Sequence, residues 1–107
     1  MRPDNSIFPM PRKDERKDVA MDAVLESSVG RRESRISDLS LGGCYVESMT
    51  NFTAGEQVSF DLIDANGETL TFTGEVAYVL EGFGFGISFT RLTEEQTEFV
   101  RRSMPAE

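Results

Sequence analysis

The sequence predicts a mainly β protein: a six-stranded antiparallel β-barrel with a C-terminal α-helix and a flexible N-terminal arm. Three observations predict it. From Val19 onward, short runs alternate apolar with polar residues, the period-2 signature of half-buried strands. Breaks at Gly30, Gly42-Gly43, Gly55, Asn66-Gly67 and Gly82 divide those runs as turns would. The last fifteen residues switch to a helical start signal and a short apolar stripe. At 107 residues the chain fits one domain with one small core, and its eight Phe supply much of that core's volume.

Residues 1–18 carry Pro3, Pro9 and Pro11, are mostly polar and show no amphipathic period, so they read as an extended, mobile arm. The barrel and helix are expected over 19–104. Val19, Met21, Ala23 and Leu25 share the inner face of the first strand, with Asp22 and Glu26 opposite. A turn through Ser27–Arg32 leads to a second strand near Ser34–Leu39, and Cys44-Tyr45-Val46 begins a third. Val58, Phe60 and Leu62 mark the fourth. Asn66-Gly67 is a hairpin signal, expected as a type I′ turn because both residues tolerate positive φ. The long fifth strand places Leu70, Phe72, Val76, Tyr78 and Leu80 on one face, with Gly74 as a candidate bulge or bend. Phe83, Phe85, Ile87 and Phe89 form the inner face of the sixth, against Gly84, Gly86 and Ser88. Thr93 caps the helix, Gln96 completes a capping box, and Glu94, Glu95, Arg101 and Arg102 suit its dipole. Phe99, Val100 and Met104 supply its docking stripe.

Composition removes several functions. Cys44 is the only cysteine, so an internal disulfide is impossible, and there is no His, which excludes Cys/His zinc sites. The missing His also removes the commonest general base and any Ser-His-Asp triad; with no clustered Asp/Glu motif, the chain reads as a binding protein rather than an enzyme. No apolar run approaches the ~18 residues needed to span a bilayer, and the N-terminal stretch has no signal-peptide core. A cytoplasmic protein without membrane insertion is expected. The net charge of −8 is unevenly spread: residues 1–37 sum to 8 − 7 = +1 and residues 38–107 to 3 − 12 = −9. An anionic ligand should therefore dock at the N-terminal third, unless that third is simply a solvated charged face.

Two patterns stand out in that third. Arg12-Lys13-Asp14-Glu15-Arg16 is an R-x-x-x-R, uninformative alone in a chain with nine Arg; Arg31/Arg35 makes a second. Asp38-Leu39-Ser40-Leu41-Gly42-Gly43 is a D-x-S-x-x-G, with about 0.02 chance matches expected at this length from average residue usage. The pair, in this order and separated by one hairpin, resembles the PilZ family of bacterial cyclic di-GMP receptor domains, and Gly86-Ile87-Ser88-Phe89 is similar to that family's penultimate strand. The resemblance spans about residues 11–102. Arg31/Arg35 falls inside the hairpin and is not the matching pair.

The resemblance implies a PilZ-type barrel and assigns Arg12, Arg16, Asp38, Ser40 and Gly43 to ligand binding. Those residue types suit the ligand. An Arg fork reads guanine O6/N7 or pairs with phosphate, Asp38 can accept from guanine N1–H and N2–H₂, and Ser40 can donate to phosphate. Gly43 permits a backbone conformation or close approach that a side chain would block. Pro11 occupies the position that, in the family, influences whether one or two nucleotides bind, and it offers no guanidinium there. The expected function is a cyclic di-GMP receptor and adaptor that signals through ordering of its arm and binding of an unidentified effector protein, with no cofactor. Bland alternatives stand beside each residue: ion pairing for Arg12 and Arg16, local Asx- and ST-turns for Asp38 and Ser40, turn punctuation for Gly43. Cys44 reads as a small core residue rather than a redox sensor, and Tyr78 as barrel packing rather than a face for a base. The rival functions are a PilZ-like interaction module without nucleotide and an OB-type single-strand binder, which would want a basic groove with exposed aromatics. No nucleic acid partner is expected.

Overall fold

The structure is a computed structural model that describes residues 16–27, 30–49 and 52–105. Six strands follow one another: β1 (Lys17–Ser27), β2 (Gly30–Leu39), β3 (Gly43–Glu47), β4 (Gln57–Ile63), β5 (Thr69–Leu80) and β6 (Gly84–Phe89), before helix α1 (Glu94–Ser103). They pair antiparallel in the closed order β1-β2-β3-β6-β5-β4. Closure is what lets so short a chain leave no long unpaired edge while enclosing a core. The expected six-strand barrel with a terminal helix is therefore the fold observed.

Alternation builds the wall as expected over β1 and β4: Met21, Ala23 and Leu25, then Val58, Phe60 and Leu62, all face inward. Ile36, Leu39, Cys44 and Val46 complete the inner face of β2 and β3. Phe60, Phe72 and Phe85 are fully buried, each contributing on the order of 1.5–3 kcal/mol through the area it removes from water. Phe52, in the connection after β3, tilts against Phe85 with ring centroids 4.9 Å apart and closes one part of the interior. Helix α1 begins with the expected capping box, Gln96 N donating to Thr93 Oγ1 (3.1 Å) and Thr93 N donating to Gln96 Oε1 (2.8 Å). Its Phe99 and Val100 are buried, Phe99 meeting Phe72 at 5.8 Å, and Gln96 Nε2 donates to Thr71 O across the seam. Among the described residues no helix is long and apolar enough to cross a membrane.

Four expectations from the sequence are corrected. First, β2 begins at Gly30, so Arg31 and Arg32 lie in the strand rather than in a turn. Second, Asn66 does not take positive φ; only Gly67 does (+83°). The Asp64 carboxylate accepts from Asn66 N and Glu68 N at 2.9 Å each, and Gly67 N donates to Asp64 O, which makes a type I-like turn closed by a left-handed glycine instead of type I′. Third, the irregularity in β5 is not at Gly74, which pairs with both Val58 and Phe89, but between Val76 and Tyr78. The extra residue reverses the inside–outside sense, so Tyr78 and Leu80 turn outward, 40% and 50% exposed. Fourth, Phe83 sits in the β5–β6 turn, 75% exposed, and β6 starts after it.

Candidate functional site

The start of β1 and the end of β2 meet at the same end of the barrel, because Lys17 pairs with Leu39 and Asp18 with Asp38. That register carries Arg16, just before β1, to Asp38, 22 residues away: Arg16 Nη1 donates to Asp38 Oδ1 at 2.6 Å. Both side chains remain partly open to solvent, so the pair contributes only about 0–1 kcal/mol to stability. Arg12 lies outside the described residues.

The D-x-S-x-x-G segment is the turn joining β2 to β3. Ser40 is buried, and its Oγ accepts from Gly42 N and Gly43 N at 3.1 Å each and donates to Gly43 O at 3.3 Å. Ser40 N also donates to Gly43 O at 2.8 Å. The serine thus makes an ST-type turn, and its proton is directed into the loop. Gly43 serves close approach: a Cβ there would lie 2.0 Å from Ile87 O on β6. Asp38 stands at the entrance to a tightly wound loop, and the motif's spacing is the spacing of that winding. Cys44, the next residue, is wholly buried; burial foremost, then the Asp38 charge, pushes its thiol far above the ordinary range, with Arg16 opposing. Arg31 and Arg35 are held elsewhere, Arg31 by Glu26 and Asp61, Arg35 by Asp22 at 3.7 Å.

Tyr45 joins the site without having been a candidate from the sequence. Asp38 pairs with Tyr45, Tyr45 with Gly86, and Gly86 with Tyr78, so a row crosses β2, β3, β6 and β5 on the outer face. The two tyrosine rings stack, centroids 6.3 Å apart and 25° between planes. Gly86 allows this, because a Cβ at that position would meet Tyr78 Cε2 at 2.5 Å. The Tyr45 hydroxyl is held protonated above the usual tyrosine range, first by partial loss of solvent, then by Tyr78, Glu47 and Asp38. An aromatic step thus adjoins the Arg16–Asp38 pair. Among the described residues no group of three or more His, Cys, Asp or Glu is placed to hold a metal ion.

The chain is thus a closed six-strand barrel with a terminal helix that carries an ordered D-x-S-x-x-G turn beside an N-terminal arginine. The family model of the PilZ domain matches residues 11–104, and the chain belongs to that family, whose fold is a receptor fold for cyclic di-GMP. Among solved structures it is similar to the Bacillus subtilis inhibitor of motility MotI/DgrA (TM-score 0.74, 13% identity, covering 87% of this chain but only 48% of that one). It is also similar to the PilZ domain of Escherichia coli YcgR with c-di-GMP (TM-score 0.70, 14% identity, 89% of each chain). A third is the PilZ domain of CeSA from a cellulose-synthesizing bacterium (TM-score 0.63, 20% identity, 83% of this chain and 93% of that one). A search of curated protein sequences finds no match.

Proposed function

We propose that this chain is a cyclic di-GMP receptor that binds the nucleotide on the outer barrel face beside the Ser40–Gly43 turn and passes the signal to an effector protein. The observation that carries the reading is the Arg16–Asp38 pair, brought to 2.6 Å at the mouth of the motif turn by the β1–β2 register. That pair costs the ligand little to rearrange, about 1 kcal/mol at most, against roughly 1.5–3 kcal/mol for each charge-assisted hydrogen bond made to the nucleotide. Arg16 turns to a phosphate or guanine edge, and Asp38 takes guanine N1–H and N2–H₂ on its carboxylate. Ser40 contributes by fixing the loop that presents Asp38, and Gly43 by bringing β3 against β6. Arg12, one motif step before Arg16, closes over the ligand from the arm. The Tyr45–Tyr78 step offers a guanine face, worth about 1–3 kcal/mol per stacked base. After ordering costs, the sum is roughly −8 kcal/mol, a micromolar Kd.

The YcgR domain's c-di-GMP supports the choice of ligand for this fold. A PilZ-like interaction module without nucleotide is the competing reading, and the presence of Arg16, Asp38, Ser40 and Gly43 together favours the receptor. The test is an amide chemical-shift titration with cyclic di-GMP. The first equivalent should move Asp38, Ser40 through Tyr45, and Tyr78. Shifts absent from that surface would exclude the receptor reading.

A further inference from the structure

Seven of the chain's nine arginines are described, and Arg16, Arg31, Arg35 and Arg102 each have an acidic partner. Arg32, Arg91 and Arg101 have no ion-pair partner within 4.0 Å among the described residues, although the chain carries nineteen acids. Arg32 lies on β2 between Arg31 and Glu33, whereas Arg91 and Arg101 line one cleft of about 660 Å³. Its floor is the back of the motif turn, Leu41 and Gly42, and its walls are the end of β6 and the Thr97–Arg101 face of α1. Phe89 N donates to Gly42 O at 2.9 Å, which ties the motif turn to the end of β6. Ser88 and Thr97 add hydroxyls to the lining, while the Thr90 hydroxyl is bonded to that of Thr73 at 3.0 Å.

We infer that this cleft is a phosphate-binding subsite on the far flank of the motif turn, with Arg91 and Arg101 as its cationic jaws. Two guanidinium groups lining one cleft with the Ser88 and Thr97 hydroxyls match the oxygens of a phosphate or phosphodiester. Converging two arginines on one cleft while leaving both without a carboxylate, in a chain of net charge −8, concentrates positive potential where an anion can use it. Glu94, Glu95 and Glu98 lie close by, lining with Arg101 an adjoining groove, so the subsite suits a compact anion and not a long polyanion. The phosphate can come from a second bound nucleotide or from a free phosphorylated molecule. Only the first source rests on the receptor reading above.

The experiment titrates the whole protein with inorganic phosphate, with chloride at matched ionic strength as the reference, and follows backbone amides. Phosphate should shift Gly42, Thr90 and Thr97 saturably, and Arg101→Ala or Arg91→Ala should each weaken it at least fivefold. Arg32→Ala, which removes the same charge from an exposed position elsewhere on the barrel, should leave it unchanged. Melting temperatures should match wild type for Arg32→Ala and Arg91→Ala and fall only slightly for Arg101→Ala, which loses a favourable charge in the last turn of α1, since none of these arginines is buried or ion-paired among the described residues. Shifts absent with phosphate, or equal losses in Arg32→Ala and Arg101→Ala, would overturn the subsite. A second arm adds cyclic di-GMP: movement of Thr97 only beyond the first equivalent assigns the phosphate to a second nucleotide, and an unmoved Thr97 that still responds to phosphate assigns it to a free phosphorylated molecule. Failure of the receptor reading shows separately, as still amides at Asp38 and Tyr45.

Discussion

Replacing Gly43 by alanine should strongly destabilise the domain although the residue belongs to a ligand motif. The new Cβ would stand 2.0 Å from Ile87 O, 3.1 Å from Ile87 C and 3.3 Å from Ser88 Cα. Non-bonded atoms settle at about 3.5 Å or more, so β3 and β6 must part by about 1 Å or more where Gly43 pairs with Ser88. The obstacle is backbone on both sides, with no side chain to swing away. Overpacking of this kind costs about 1–3 kcal/mol, and loosening the ladder together with the Ser40–Gly43 turn adds about 1 kcal/mol per hydrogen bond lost. The total is roughly 3–5 kcal/mol against a stability of about 5–15 kcal/mol. Since 1 kcal/mol shifts Tm by about 4–8 °C in a domain of this size, the melt should fall by at least about 12 °C. Gly86→Ala is the matched comparison: the three atoms nearest its Cβ all belong to the side chain of half-exposed Tyr78, which can rotate out, so stability should change by under about 1 kcal/mol. A Gly43→Ala melt within about 3 °C of wild type would refute the close-approach argument.

The other predictions concern the site. Arg16→Ala should weaken cyclic di-GMP binding at least about tenfold by calorimetry, while Arg31→Ala, whose guanidinium is engaged by Glu26 and Asp61, should change it only slightly. Equal losses would mean the ligand sits elsewhere. Tyr78→Ala and Gly86→Ala should each reduce affinity about tenfold with little change in Tm, because both remove the stacked step without touching the core; full affinity in both would exclude base stacking there. Cys44 should resist a thiol reagent from about pH 7 to about 9, since burial raises its pKa and keeps the thiolate from forming; labelling should track global unfolding. Prompt labelling of the folded protein would contradict that placement.

Much of the fold can be read in the sequence because its signals are local. The capping box needs only Thr93 and Gln96, and the inner faces of β1 and β4 need only alternation. Tyr78, Leu80 and Phe83 depart from the expected inner face for a physical reason: one extra residue after Val76 reverses parity, and an apolar pattern looks the same on either side of such a slip. The type I′ expectation fails because Asp64, outside the Asn-Gly pair, captures the turn's amides. In the site, Arg16 and Asp38 are legible as residues and not as a pair, which depends on Lys17 meeting Leu39. Ser40's place is open between ligand and loop, and only the bonds from Gly42 N and Gly43 N show the turn it makes. Tyr45 gives no local signal, since its neighbour Tyr78 arrives through the strand order β3-β6-β5.

The central claim is that this surface recognises cyclic di-GMP, and calorimetric titration of the wild-type protein tests it most directly. Saturable heat with a Kd near ~1 µM is expected, and binding at least about a hundredfold weaker for GMP, which lacks the second guanine and phosphate. A short oligonucleotide should give no specific heat, given the acidic C-terminal two-thirds of the chain. No heat with cyclic di-GMP at high micromolar concentration, from protein that melts cooperatively, would contradict the account and leave the chain as an interaction module on a receptor fold.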